Sequence, residues 1–319
     1  MIKEKYFLTH SNLAHLDPYF DLVGVTEEFL TMKSASFLSL VKERVEKIYP
    51  DLDIEVINLS ELQTNLIQKI ETELDLSEYF VISLEEDWLG QDGFKLEICR
   101  AEDLQGHSAE YCARPGFDDP DTQLKRAVEL SGNKKILITD DGLFSGKTAL
   151  KVVEDLQNLG KQEFIVYVLV ATAEGVERFS ELGINVHCLR SLDIPKDWVC
   201  ERDLRYCIAR TGKPVVSEIG QLLSIEHDGR KTFFSRPYPL PTGNLNQAAS
   251  IPDEYVKDFS KFVLEWHIEL FTELEVLAGP ITLGDLSKLS SLHSVPYAGY
   301  IPDMNTTIKD HLVSLLRSL

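Results

Sequence analysis

Two adjacent acids are followed by a turn rich in glycine and hydroxyl residues, a combination of residue types and spacing that could bind an anionic ligand. The segment reads KILITDDGLFSGKTAL over residues 135–150. Its apolar run ends at Asp140 and Asp141, and a helical pattern begins near Lys147 after a short turn. A helix N-terminus binds anions through its backbone N–H groups and its dipole, and glycine lets the backbone approach a ligand closely. The segment therefore predicts a phosphate site with two carboxylates beside it.

A nucleoside-triphosphate P-loop is one alternative for this segment. That loop requires G-x-x-x-x-G-K-[ST]. Counting back from Gly146, Asp141 stands where the first glycine belongs, and Gly142 lies one place late. An acid at that position would repel a polyphosphate, so the P-loop pattern fails. An ordinary strand–turn–helix, capped by Asp and Ser and without a ligand, stays open.

The acids are explained by a family pattern. The segment resembles the phosphoribosyl-pyrophosphate (PRPP) signature of type I phosphoribosyltransferases, in which an apolar strand, two acids and a loop ending in T-G-x-T follow one another. The resemblance implies that Asp140 and Asp141 contact the ribose hydroxyls of PRPP. Ser145 stands where the family usually has Thr, which keeps the hydroxyl. The loop that would hold the 5′-phosphate comprises Gly142, Leu143, Phe144, Ser145, Gly146, Lys147 and Thr148.

The same resemblance extends upstream of the motif. The stretch DLVGV (21–25) and the residues after it would form the first strand and the pyrophosphate-binding loop, with Lys33, Ser34 and Ser36 facing the leaving group. The irregular stretch 85–120 lies where the family carries a lid over the site. Its candidate charged contributors are Arg100, His107 and Arg114.

An acceptor-binding segment is expected after the last core strand. In purine-type members an aromatic–Val pair followed by an acid lies there, so the resemblance implies that Trp198 stacks on the base and that Asp203 assists. Asp203 is closer to the aromatic residue than the family pattern expects. The segment W-V-C-E-R-D also resembles phosphoribosyltransferase-like proteins of bacterial conflict and phage-defence systems.

Strand and helix patterns alternate from residue 21 to residue 192, which predicts an α/β fold with a parallel, Rossmann-like sheet flanked by helices, as in type I phosphoribosyltransferases. The predicted strands are 21–25, 53–59, 79–84, 135–139, 164–171 and 184–189. The predicted helices are 36–48, 61–73, 121–130, 147–159 and 174–182.

Beyond Gly212 the pattern changes, and we expect two domains, 1–212 and 213–319. The second is expected to be a mainly helical extension. It contains a Pro-rich connection at 235–244 and a strong helix between Ser250 and Gly279 with an aromatic stripe. It is a candidate surface for a homodimer or a protein partner.

Composition sets limits on partners and compartment. The chain has 319 residues, 44% of them hydrophobic, and a formal charge of −20. Such a charge argues against coating nucleic acid, which needs a clustered basic face. The absence of a long apolar run argues against a membrane span and a secretory signal. The five cysteines show no CxxC pair, so we expect reduced thiols in a cytoplasmic protein.

The predicted function is that of a phosphoribosyltransferase-like protein, which the resemblance implies is Mg²⁺-dependent. It would bind PRPP and transfer its phosphoribosyl group to a base or related acceptor with release of pyrophosphate. No protein metal ligands are predicted, since the His10 and His15 spacing misses a helical metal pair by one residue. Two alternatives stay open: a regulator that binds PRPP or a nucleotide, and a toxin-like effector of a bacterial antiviral defence system.

Overall fold

A computed structural model describes residues 4–10, 26–85, 93–218, 220–289 and 293–319. The predicted strand 21–25 lies outside the described residues. The chain forms two compact units, of which the first contains Asn58–Cys99 and Tyr111–Pro195. The second contains Lys5–Ile57, Arg100–Glu110 and Lys196–Leu319. This division groups the chain differently from a boundary after residue 212, and that domain boundary stays a prediction.

The elements are numbered in chain order. The strands are β1 (Lys5–His10), β2 (Asp53–Asn58), β3 (Tyr79–Ser83), β4 (Phe94–Lys95), β5 (Ile98–Glu102), β6 (Ser108–Ala113), β7 (Lys135–Leu143), β8 (Phe164–Thr172), β9 (Asn185–Leu192), β10 (Pro195–Cys200), β11 (Lys213–Pro214), β12 (Ser224–His227), β13 (Arg230–Arg236) and β14 (Ser294–Pro296). The helices are α1 (Glu27–Ile48), α2 (Leu59–Glu73), α3 (Pro120–Ser131), α4 (Lys147–Asn158), α5 (Ala173–Glu181), α6 (Leu245–Ala249), α7 (Asp253–Ala278), α8 (Leu286–Leu289) and α9 (Ile308–Ser318).

A five-stranded parallel sheet forms the centre of the first unit. Its strand order is β4-β3-β7-β8-β9, and each neighbouring pair is parallel. The consecutive residues Val166–Ala171 of β8 are all buried, which requires cover on both faces of the sheet. Because parallel strands need crossover connections, α3, α4 and α5 separate successive strands along the chain. The predicted α/β fold class with a parallel sheet is confirmed.

Helix α4, which follows the acid pair, is amphipathic. Ala149, Val152, Val153 and Leu156 recur at helical spacing and are buried in the core of this unit. Gly160 follows the helix with a φ of +96°, a left-handed conformation that glycine adopts without strain. The apolar face therefore fixes the helix on the sheet, and its first turn lies directly after the loop 144–146.

The second unit is built around helices α1, α7 and α9. Its core includes Phe37 of α1 and Trp266 of α7, whose ring centroids are 4.6 Å apart. Strands β10, β1 and β2 form a sheet in that order. The expected helical character beyond residue 212 is present in α7 and α9, but strands β11 to β14 also form a sheet there. The sequence patterns did not predict these four strands.

Candidate functional site

The acid pair lies near the carboxyl end of the central strand of the parallel sheet. Asp140 is paired with Val168 of β8, and β7 continues through Leu143, which is paired with Ala171. Both acids therefore belong to the strand, which runs four residues beyond its predicted end. Asp140 and Asp141 are half-buried, and the Asp141 N–H donates to Asp140 Oδ1 at 2.9 Å. The sheet thus holds the two carboxyl groups at the edge where ligands bind in open α/β folds.

The loop after the strand is held tightly against helix α5. The Thr172 hydroxyl donates to the carbonyl oxygen of Phe144 at 2.5 Å. At Gly175, an added Cβ would lie 2.8 Å from the carbonyl oxygen of Leu143 and 3.0 Å from that of Phe144. At Gly146, which has a φ of +67°, an added Cβ would lie 3.2 Å from Phe179 Cε2. Two glycines and one hydroxyl therefore allow this close contact.

Helix α4 begins without a side-chain cap. Among the described residues, Asn58, Asp119 and Thr172 cap α2, α3 and α5 by accepting a backbone N–H, whereas Gly146 offers no such group to α4. The first turn of α4 also contains no acid. Lys147 is exposed there. A helix N-terminus with this composition is suited to an anionic ligand, because its N–H groups and dipole act together.

The electrostatic environment of Asp140 is unusual for a carboxyl group. Burial raises the pKa of Asp140 well above its ordinary value, and the negative charges of Asp141 and Glu85 raise it further. The Asp141 N–H and the Arg114 guanidinium act in the opposite direction. Two close acids in a half-buried position cannot both ionise freely. A ligand that brings hydroxyl donors or positive charge would relieve this repulsion.

Arg114 is the residue of the predicted lid that lies in the same unit as the acid pair. It is buried, its Nη2 donates to Glu85, and its Nε lies 3.4 Å from Glu97 Oε2. Arg100 and His107 belong to the other unit, where His107 Nδ1 lies 3.1 Å from Asp103 Oδ2. The sequence did not predict that Glu85 lies near this site, because no sequence pattern links it to Asp140 or to Arg114.

The segment expected to form the pyrophosphate loop is a helix, which corrects its predicted local structure, while the role of Lys33 and Ser34 toward pyrophosphate stays a prediction. Lys33 and Ser34 lie within α1, which Thr26 caps by accepting the Phe29 N–H. Lys33 Nζ lies 2.5 Å from Glu273 Oε1, and the buried Ser34 hydroxyl accepts Arg205 Nη2 at 2.8 Å. The physical reason is the apolar series Leu30, Phe37, Val41 and Val45, which is buried at helical spacing.

The predicted acceptor residues belong to the second unit. Trp198 lies on β10, and its indole N–H donates to the Thr9 hydroxyl at 3.0 Å. Asp203 lies in the 3-10 turn Glu201–Leu204, and its carbonyl oxygen accepts the Tyr238 N–H at 3.0 Å. Both side chains are half-buried. Their role toward an acceptor stays a prediction.

The part of the chain that the structure describes contains no group of three or more His, Cys, Asp and Glu side chains arranged to hold a metal ion. Mg²⁺ in nucleotide sites usually takes one or two carboxylates from the protein and its other ligands from substrate and water. Carboxylate oxygens are ligands that Mg²⁺ prefers, and Asp140 and Asp141 supply them. No helix among the described residues is long and apolar enough to span a bilayer.

The chain is similar to solved structures of known proteins, but with low sequence identity and low TM-scores. No protein-family profile matches the chain, and no curated protein matches it. The chain is similar to orotate phosphoribosyltransferase from Aeropyrum pernix, with 17% identity, a TM-score of 0.27, and coverage of 42% of this chain and 71% of that one. Orotate phosphoribosyltransferase from Mycobacterium tuberculosis H37Rv in complex with PRPP has 17% identity, a TM-score of 0.24, and coverage of 41% and 71%. Purine phosphoribosyltransferase from Pyrococcus horikoshii Ot3 has 13% identity, a TM-score of 0.27, and coverage of 53% and 93%. Similarity at this level does not show a shared function.

Proposed function

We propose that the chain binds PRPP at the loop between β7 and α4 and transfers its phosphoribosyl group to a nitrogen acceptor, with release of pyrophosphate. One observation carries this proposal: a half-buried pair of acids is followed, after a short loop, by a helix whose N-terminus has no side-chain cap. The acids can accept hydrogen bonds from the two hydroxyls of a ribose, and the helix N-terminus can donate hydrogen bonds to a phosphate group. We call residues 142–148 the phosphate loop.

The 5′-phosphate would bind in the phosphate loop. The first-turn N–H groups of α4 would donate to its oxygens, with Ser145 and Thr148 as additional hydroxyl donors. Lys147 would add a positive charge. The contacts of Thr172, Gly175 and Phe179 with the loop hold it in place before the ligand arrives. A site ordered in advance loses less conformational entropy on binding.

The ribose would bind against the acid pair. Asp140 and Asp141 would accept hydrogen bonds from the 2′- and 3′-hydroxyls, which suits carboxyl groups whose mutual repulsion is high. As pyrophosphate leaves, positive charge develops on the ribose ring. A fixed carboxylate stabilises that charge without forming a covalent bond, so positioning and electrostatics supply the catalysis.

Mg²⁺ fits the chemistry of this site. Asp140 and Asp141 are the residues that would hold it, together with oxygens of the ligand and water. When bound, Mg²⁺ neutralises negative charge on the pyrophosphate. The raised pKa of Asp140 means that a cation and a proton would compete for its carboxyl group. Mg²⁺-dependent binding should therefore weaken as the pH falls.

The test is an assay of the full chain with PRPP, Mg²⁺ and a panel of nitrogen bases, in which pyrophosphate release is measured. Calorimetry of PRPP binding accompanies the assay. We expect both signals to be lost in Asp140→Ala and Asp141→Ala, and to persist in Asp121→Asn, which changes an exposed acid on α3. Saturable binding without release would favour a regulator that senses PRPP. Absence of binding would overturn the proposal.

A further inference from the structure

Two cysteines lie opposite each other in a β-hairpin. The connection between β5 and β6, Asp103–His107, is so short that only antiparallel pairing is possible. The Arg114 N–H donates to the Glu97 carbonyl oxygen at 2.8 Å at the open end of the hairpin. Moving two residues along each strand from this pair leads to Cys99 and Cys112. The register therefore places the two cysteines as direct cross-strand neighbours.

The distance between the sulfur atoms is short. Cys99 Sγ and Cys112 Sγ are 3.9 Å apart, and both residues are half-buried, which leaves them within reach of a small reagent. Directly opposed residues in antiparallel strands have Cα separations of about 4.5–5.5 Å. Disulfides need about 4.4–6.8 Å between Cα atoms and about 2.05 Å between sulfurs. Side-chain rotation can therefore close the gap without backbone rearrangement.

We propose that Cys99 and Cys112 are a site of reversible oxidation, at which a low-molecular-weight disulfide such as oxidised glutathione converts the two thiols into an intramolecular disulfide. The Sγ–Sγ distance and the cross-strand register carry this proposal. It does not depend on PRPP binding or on transfer chemistry.

The two cysteines have different roles in the exchange. The hydrogen bond from Cys112 lowers the pKa of Cys99 despite its burial, and the Arg114 guanidinium favours its thiolate further. The same hydrogen bond and burial raise the pKa of Cys112. Cys99 is therefore the thiolate that attacks first, since the thiolate is the nucleophile in thiol–disulfide exchange. Cys112 completes the exchange once the Cys99 negative charge has gone.

The reaction balances in two steps. The Cys99 thiolate attacks one sulfur of oxidised glutathione, which forms a mixed disulfide and releases one glutathione thiolate. The Cys112 sulfur then attacks Cys99 Sγ, breaks the mixed disulfide and releases the second glutathione. Two protein thiols are oxidised, one glutathione disulfide is reduced, and the two thiol protons end on the two glutathione molecules.

The other three cysteines provide internal controls. Burial raises the pKa of Cys188, Cys200 and Cys207, and that of Cys200 reaches about 12. Thiols held in the protonated form react slowly with disulfides. Cys188 is the matched control because it is half-buried, as Cys99 and Cys112 are, and lies on β9 of the same unit.

The experiment incubates the full chain in buffers with graded ratios of reduced to oxidised glutathione, followed by acid quenching, alkylation and tryptic digestion. Trypsin cleaves after Arg100 and so separates the two cysteines into peptides 96–100 and 101–125. We expect these peptides to appear joined in the wild type and in Cys188→Ser, with a loss of two of the five free thiols in the wild type and two of the four that remain in the variant. Dithiothreitol should restore both thiols.

Single variants test the order of attack. Cys112→Ser should accumulate glutathione on Cys99, because the mixed disulfide has no second thiol to resolve it. Cys99→Ser should leave Cys112 unmodified under the same conditions. The proposal would be overturned if the wild type gave no joined peptide at any glutathione ratio. Glutathione on Cys112 in Cys99→Ser, with none on Cys99 in Cys112→Ser, would contradict the assigned roles.

Discussion

Replacing Gly175 by alanine tests whether helix α5 holds the phosphate loop in place. The new Cβ would lie 2.8 Å from the Leu143 carbonyl oxygen and 3.0 Å from both Leu143 Cβ and the Phe144 carbonyl oxygen. Because two of these atoms are backbone oxygens, no side-chain rotation relieves the overlap. The loop must move by several tenths of an ångström.

Two opposing effects set the magnitude. Overpacking of this kind costs about 1–3 kcal/mol. Alanine regains about 0.5–1 kcal/mol over glycine within a helix. We therefore expect Gly175→Ala to lower the free energy of unfolding by about 0–2.5 kcal/mol, and to weaken PRPP binding because the displaced loop includes the proposed 5′-phosphate contacts.

Gly183→Ala is the matched control. Gly183 follows the same helix and has a φ of +70°, and nothing lies within 4 Å of the added Cβ. Its left-handed conformation costs alanine about 1–2 kcal/mol, so both variants should lose similar stability. They should differ in the stabilisation that PRPP adds: a tenfold weaker affinity removes about 1.4 kcal/mol of it.

Urea unfolding with and without PRPP and Mg²⁺ measures both quantities. Gly175→Ala should lose part of the stabilisation by PRPP, and Gly183→Ala should keep all of it. The reasoning would be refuted if Gly175→Ala were as stable as the wild type and retained the full stabilisation by PRPP.

Two further predictions concern ionisable side chains whose protonation or pairing depends on burial. Because burial and neighbouring charges raise the pKa of Asp140, the folded chain retains a proton that the unfolded chain has lost, and stability falls as the pH rises from the ordinary aspartate pKa through the raised one. Asp140→Asn should remove this fall and raise the melting temperature at neutral pH by a few degrees; calorimetry across pH showing no rise would contradict it. In the second unit, Arg205 Nε lies 2.6 Å from Glu201 Oε2, and both side chains are buried. Arg205→Met leaves the buried Glu201 carboxylate with His10 as its remaining close partner, at 3.1 Å from Nδ1 to Oε1, and should lose about 3–5 kcal/mol in urea unfolding. The double variant with Glu201→Leu should lose less; equal losses would contradict a buried charge left without its guanidinium partner.

Much of the first unit could be predicted from local patterns. The runs at 79–84, 135–139 and 164–171 are strands because continuous apolar segments suit a sheet covered on both faces. The acid pair and the glycine turn are also local, so their position at the carboxyl edge of the sheet followed from the order of strand and helix. The extension of β7 to Leu143 depends on pairing with β8, which adjacent residues do not reveal.

Other features depend on partners distant in the chain. The Ser and Thr residues near Lys33 are typical of a loop, yet Phe37 packs against Trp266 and supports a helix there. The ion pair of Glu85 with Arg114 likewise joins residues that no short motif connects. The hairpin of β12 and β13 has a signal in the sequence, the dipeptide Asp228-Gly229. In the structure these two residues have φ values of +50° and +72°, the positive values that a two-residue hairpin turn requires.

Hydrogen–deuterium exchange of the full chain, with and without PRPP and Mg²⁺, tests the central claim most directly. The amide groups of residues 142–148 should exchange more slowly when PRPP is bound, and ribose 5-phosphate should protect the same segment because it carries the same phosphate. Gly183 and the residues beside it should be unaffected. Unchanged exchange across residues 142–148 at saturating PRPP would contradict the assignment of this loop as the phosphate site.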